Sequence, residues 1–242
     1  MYHKNKMFII PEMKAADIIL DNPYILMLIE HLGIKLEVHE KTVDQLCNEN
    51  KISTVLFLAI ANLFNGFDPS PITKYSSSDI RNIITYLKNS HQFYLKEKYP
   101  QIQSYIEQIY KVNNHAEILL IEKFFEKYFE EVTEHLDYEN EVVFPYVLNL
   151  DNQLKKKKYD DSVNNYSVTE YMEHHNDIEE KLADLKNLLV KYLPQKGDQQ
   201  IRRKLVFCLC ELEYDLKIHS QVEETILIPL VEKMEKLAGK IL

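Results

Sequence analysis

The chain of 242 residues contains no tryptophan and only 4 glycines, 8 prolines and 3 cysteines. So few glycines and prolines leave little material for turns, and few turns imply long helices. The cysteines, Cys47, Cys208 and Cys210, are too few for a disulfide framework, and their odd number suits a reducing compartment, with the cytoplasm as the default. Long apolar runs are missing too. Phe8-Ile9-Ile10 stops at Pro11, and no stretch approaches the roughly 20 apolar residues of a membrane span, so neither an anchor nor a secretory leader is expected. Positive charge is in deficit, with Lys+Arg 29 against Asp+Glu 38 and a formal net charge of -9. No overall attraction to phosphate backbones results, and nucleic acid is not an expected partner. No functional reading attaches to the missing tryptophan beside 16 tyrosines.

The remainder is the material of a globular helical protein, 45% hydrophobic and 28% charged. Apolar periodicity predicts short helices over about Lys14 to Leu20, Pro23 to Leu32, Val43 to Asn50 and Ser53 to Phe64, with Thr42 as an N-cap and Gly33 as a helix stop. A cluster of turn formers follows, Gly66-Phe67-Asp68-Pro69-Ser70-Pro71 and then Ser76-Ser77-Ser78-Asp79. The expected organisation is a small helical N-terminal domain over 1–66, a linker over 67–78 and a helical bundle over 79–242. In that last part, apolar residues at spacings of three and four predict long helices over Asp79 to Lys111, Ala116 to Leu148, Val168 to Leu193 and Asp198 to Leu237. The fold class is therefore all-α, a four-helix up-down bundle behind a small helical domain. The connection Asp151 to Tyr166 holds Lys155-Lys156-Lys157-Lys158 and reads as a solvated loop.

One element occurs twice. His135 precedes Glu139 by four residues and Pro145 by ten, and His219 precedes Glu223 and Pro229 by the same intervals. Residues four apart share a helix face, so each pair aims an imidazole and a carboxylate at one place. The phase puts that place in the core: Ile121, Phe125, Tyr128, Val132, His135, Glu139, Val142 and Tyr146 form one stripe, and Leu205, Leu209, Leu212, Leu216, His219, Glu223, Ile226 and Leu230 another. A carboxylate inside a core costs several kcal/mol unless paired or bound to a metal. The first long helix sets His91 on the stripe Ile80, Ile84, Leu87, and the third sets His175 on Met172, Ile178, Leu182, with His174 turned about 100° aside. Four imidazoles and two carboxylates, drawn from all four helices, are a suitable first shell for two first-row metal ions, iron above all, with zinc and manganese as alternatives. His3, His31, His39, His115 and His174 find no matching partners and read as surface or cap residues, with His174 the alternative to His175 as the ligand of the third helix.

At these residues the chain resembles the hemerythrin-type cation-binding family. Within it, His135-x3-Glu139 leading to Phe144-Pro145 and His219-x3-Glu223 leading to Ile228-Pro229 are similar to the branch of repair of iron centres proteins. The resemblance implies a non-haem di-iron centre, oxo- or hydroxo-bridged and carboxylate-bridged, with His91, His135, Glu139, His175, His219 and Glu223 as ligands. It also covers the small helical N-terminal domain. The fifth histidine of the oxygen carriers is missing, since Tyr171 and Glu179 stand four residues either side of His175. The branch's vicinal cysteine pair is missing as well, with Glu37-Val38 at the corresponding place. Cys208 lies about 16 Å along its helix from His219 and reads as a core residue.

The function this implies is a cytoplasmic stress-response protein that supplies iron to damaged iron-sulfur proteins or reacts with nitric oxide or peroxide. The alternative is a reversible sensor or carrier of oxygen or nitric oxide. No membrane association is expected, and a homodimer through the N-terminal domain stays open.

Overall fold

Local capping chemistry starts the first helices where the sequence leads one to expect. The computed structural model describes residues 7–68, 77–114, 116–156, 167–168, 178–193 and 197–239, and it is all-α. Helices α1 (Ala15–Asp21), α2 (Ile25–His31), α3 (Val43–Glu49) and α4 (Thr54–Phe64) form the N-terminal part. The Thr42 hydroxyl accepts from the Gln45 amide while the Gln45 side chain accepts from the Thr42 amide, a reciprocal capping box that opens α3. At the start of α4 the Ser53 hydroxyl accepts from the Leu56 amide, a simple N-cap. Gly33 ends α2 at φ +70, a conformation that costs glycine nothing, and there the Ile34 amide reaches back to the Ile29 carbonyl. Among the described residues the only β pairing is the isolated bridge Lys14–Thr42.

The longer helices are α5 (Ser77–Phe93), α6 (Tyr99–Asn113), α7 (Ala116–Tyr138), α8 (Phe144–Lys156), α9 (Ile178–Asn187), α10 (Gln199–Val222) and α11 (Ile228–Leu237). Among the described residues, four five-residue π turns follow them: Tyr94–Lys98 after α5, Glu139–Val143 after α7, Leu188–Tyr192 after α9 and Glu223–Leu227 after α10. Each ends two residues before a proline, respectively Pro100, Pro145, Pro194 and Pro229. Proline brings no amide, and its ring crowds the carbonyl four residues back. A wide turn shifts the bonding to i+5, as where the Tyr99 amide donates to the Tyr94 carbonyl and the Ile228 amide to Glu223. At Pro100, Pro145 and Pro229 the helix thus continues through the proline rather than breaking, whereas the turn over Leu188–Tyr192 ends its helix at the extended Leu193.

Chain compactness separates two units. One comprises 1–90, 144–168 and 218–242, the other 91–143 and 169–217. In the first, Asn62 is buried and exchanges hydrogen bonds with the backbone of Ile9, at 2.8 Å from the Ile9 amide and 3.1 Å to its carbonyl. Helix α11 packs on α8, where the Tyr146 hydroxyl and the Val168 amide both donate to the buried Glu235 carboxylate. In the second, α6 and α9 pack along α7 around a core that includes Tyr99, Ile106, Phe125, Val132, Leu185 and Leu209. Asp198 is buried there and accepts from Asn113 Nδ2 and Arg202 Nη2, both at 2.8 Å, while Arg202 Nη1 holds the Leu189 and Leu193 carbonyls.

Two expectations change. Helix α8 runs on to Lys156, so Asp151 and the first two lysines of the basic run are helical, with Lys155 paired to the buried Asp151 at 2.5 Å. Val142, expected inside, is 38% exposed, and Val143 is buried at 2%. The π turn adds one residue to the helical repeat and moves the inward position by one. Of the expected linker, 69–76 lies outside the described residues. Among the described residues no helix is long and apolar enough to cross a membrane.

Candidate metal centre

The residues singled out by spacing stand at the ends of α5, α7 and α10. His91 lies in the last turn of α5, on the buried side already formed by Ile80, Ile84 and Leu87. His135 occupies the last turn of α7, and Glu139 is the first residue of the π turn that follows. His219 and Glu223 repeat this placement on α10 and its own π turn. Each histidine precedes the widened turn, so the four-residue spacing to its glutamate still bridges one helical turn. Short π segments inside α-helices concentrate at functional sites, and here two of them begin on the motif glutamates.

Glu139 is 0% exposed, and its two oxygens face different imidazoles. Oε2 lies 3.2 Å from His91 Nε2, and Oε1 lies 3.1 Å from His135 Nε2. His91 is fully buried, whereas His135 retains 10% side-chain exposure, so the pair on α7 meets the boundary of the core. On α10, His219 Nε2 lies 3.3 Å from Oε1 of the equally buried Glu223. The other ring nitrogen, Nδ1, lies 2.8 Å from the Ser90 hydroxyl. His91, Glu139 and His219 are all buried, and each offers an atom of a kind that ligates metal ions.

The donors fit such an ion chemically. They are imidazole nitrogens and carboxylate oxygens without a thiolate, a set that suits first-row divalent ions better than calcium or magnesium. A carboxylate removed from water this completely is costly unless positive charge stands beside it, and a metal ion would supply that charge. His175, the expected contribution of the third long helix, lies outside the described residues, as do His174, His3 and His115.

Sequence reasoning missed two features. His31 is not a surface residue: it is 1% exposed, and its ring meets Tyr86 edge to face at 5.4 Å. Its place at the end of a short helix suggests a cap, whereas packing that includes Tyr86 of α5 buries it. Ser90 is the second. A serine beside a motif histidine carries no periodic signal, and its partner stands 129 residues away in the chain. The cysteines lie elsewhere: burial pushes the Cys47 thiol up to about 12 and the Cys208 thiol up to about 11. Cys208 sits in the hydrophobic core as expected, with Sγ 3.0 Å from Gln101 Oε1.

No family model matches the chain, and comparison with curated proteins finds no match.

Proposed function

We propose that this protein is a hemerythrin-like di-metal protein, with Glu139 and Glu223 shared between two ions and His91, His135, His175 and His219 as the terminal ligands. The observation that carries this reading is the setting of Glu139, one carboxylate oxygen toward each of two imidazoles on different helices. A carboxylate serving one local partner has no reason to divide its oxygens in this way, and a bridging ligand does. The repeat of His-x3-Glu on α10 supplies the second half. In this proposal the long helices form a four-helix up-down bundle behind the small N-terminal domain, and the metal is iron.

Bound iron with imidazole and carboxylate ligands would supply redox capacity and open coordination positions for nitric oxide, peroxide or oxygen. The chain's own residues do the rest. The four imidazoles would offer neutral nitrogen donors, and the two glutamates, both wholly buried, would offset the charge of the metal. A first shell without thiolates holds iron less tightly than a closed structural site, which suits a donor to damaged iron-sulfur proteins in a stressed cytoplasm.

Metal analysis with an absorption spectrum, on full-length chain purified without oxygen or added metal, tests the reading. About two irons per chain, lost in His219→Ala and Glu223→Ala, are expected. One zinc, or no metal after reconstitution, overturns it. Iron that binds oxygen reversibly but does not transfer to an apo-cluster acceptor favours the sensor or carrier role over iron donation.

A further inference from the structure

Ser90 is fully buried on α5, immediately before His91, and its hydroxyl makes two short contacts. One is to the Leu87 carbonyl at 2.7 Å, the other to His219 Nδ1 at 2.8 Å. A hydroxyl has one proton to give, and a carbonyl has none. The contact with Leu87 is attractive only if the serine proton lies there, because two bare oxygens 2.7 Å apart repel. The oxygen of Ser90 then faces Nδ1 with its lone pairs, and that contact is attractive only if Nδ1 carries a proton. Proton counting therefore leaves one arrangement: Nδ1–H donates to Ser90, and Ser90 O–H donates to Leu87.

We propose that Ser90 is a positioning residue that holds His219 in its Nδ1–H form and thereby presents the Nε2 lone pair as the metal-binding atom. The neutral imidazole has two tautomers, and only the one with a bare Nε2 can ligate through that atom. Nε2 is the nitrogen facing Glu223, at 3.3 Å. A metal ion taken up at Nε2 would also have the Glu223 carboxylate within reach as a ligand. The metal part rests on the di-metal reading above; the tautomer does not.

The serine is itself held in place. Its neighbour Asn89 donates to the His31 carbonyl at 2.8 Å, and Tyr86, one turn earlier, lies against the His31 ring. The N-terminal helices thus fix the part of α5 that carries Ser90. A second hydrogen bond that orients a ligating histidine and sets its tautomer is worth about 10–100-fold in metal affinity.

The test is nitrogen NMR of full-length, metal-free protein with labelled histidine, followed by Fe²⁺ titration of the same samples. His219 is expected with protonated Nδ1 and bare Nε2 in wild type and in Ser90→Thr, whose hydroxyl can make the same bonds, and as a tautomer mixture in Ser90→Ala. Fe²⁺ affinity should fall about 10–100-fold in Ser90→Ala and return in Ser90→Thr. A wild-type His219 with protonated Nε2 overturns the proposal without any variant. An unchanged tautomer and unchanged affinity in Ser90→Ala overturn it as well. A tautomer that follows Ser90 in a protein that binds no Fe²⁺ upholds the positioning role and refutes the di-metal reading instead.

Discussion

Replacing Glu139 by glutamine separates what this residue does for the metal from what it does for the fold. The substitution keeps the shape and removes the charge. In metal-free protein the carboxylate is wholly buried, with imidazole nitrogens at 3.2 and 3.1 Å, so its attraction to them works against a desolvation cost of comparable size. A neutral amide forms weaker bonds but carries little desolvation penalty, and the net change should stay within about 1.5 kcal/mol of wild type. With metal the balance differs. An ion held only by the folded chain adds about 2.7 kcal/mol at a concentration a hundred times Kd, which for a protein of this size raises Tm by about 5–11 °C. Glu139→Gln removes the ligand that faces two imidazoles, and the metal-dependent rise should vanish while the metal-free Tm barely moves. Calorimetry of both proteins with and without Fe²⁺ reads all four values. A metal-dependent rise as large in the variant as in wild type would refute the assignment of Glu139. A metal-free loss above about 3 kcal/mol would show that the carboxylate serves the fold.

Asp198→Ala should cost about 3–5 kcal/mol in urea denaturation, because it leaves the largely buried Arg202 guanidinium without its carboxylate and takes one of its two acceptors from the Asn113 amide, which keeps only the Ile109 carbonyl; a loss under about 1 kcal/mol would mean that the clamp is ornamental. Thiol labelling near pH 8 should modify the partly exposed Cys210 first and leave Cys47 and Cys208 almost untouched until the chain opens. The Cys47 proton also predicts a weakening of the fold in alkali. Its folded value is raised by burial to about 12 from 9.0, so the unfolded chain releases the proton first, and this contribution is full below pH 9 and lost as pH rises toward 12. Equal labelling of all three thiols, or a Cys47→Ala variant with an unchanged alkaline midpoint, would contradict this.

The repeated proline connects the fold and the site. The four π turns among the described residues each precede a proline, and the two on α7 and α10 begin on the motif glutamates. Histidine, glutamate and proline at fixed intervals are therefore one device: the first two share a helix face, and the third forces the widening that continues the helix past them.

The helices were legible because their causes are local. Apolar spacing, Thr42, Ser53 and Gly33 act within a turn or two of themselves, and helices lie over 15–21, 25–31, 43–49 and 54–64 within a residue or two of where periodicity puts them. The His-x3-Glu pairs were legible for the same reason, since four residues and 3.6 per turn decide that His135 meets Glu139 and His219 meets Glu223. Periodicity could not say which helix stands opposite. That Glu139 also meets His91, that Ser90 receives His219 across 129 residues and that His31 is sealed against Tyr86 depend on packing between distant segments. Val143 rather than Val142 faces inward because the proline-driven turn breaks the very repeat from which the stripe was read. The sequence alone determined which side chains share a helix face, a matter of backbone geometry; only the tertiary structure decided which faces meet, because that is settled by the burial of whole surfaces rather than by any one residue's neighbours.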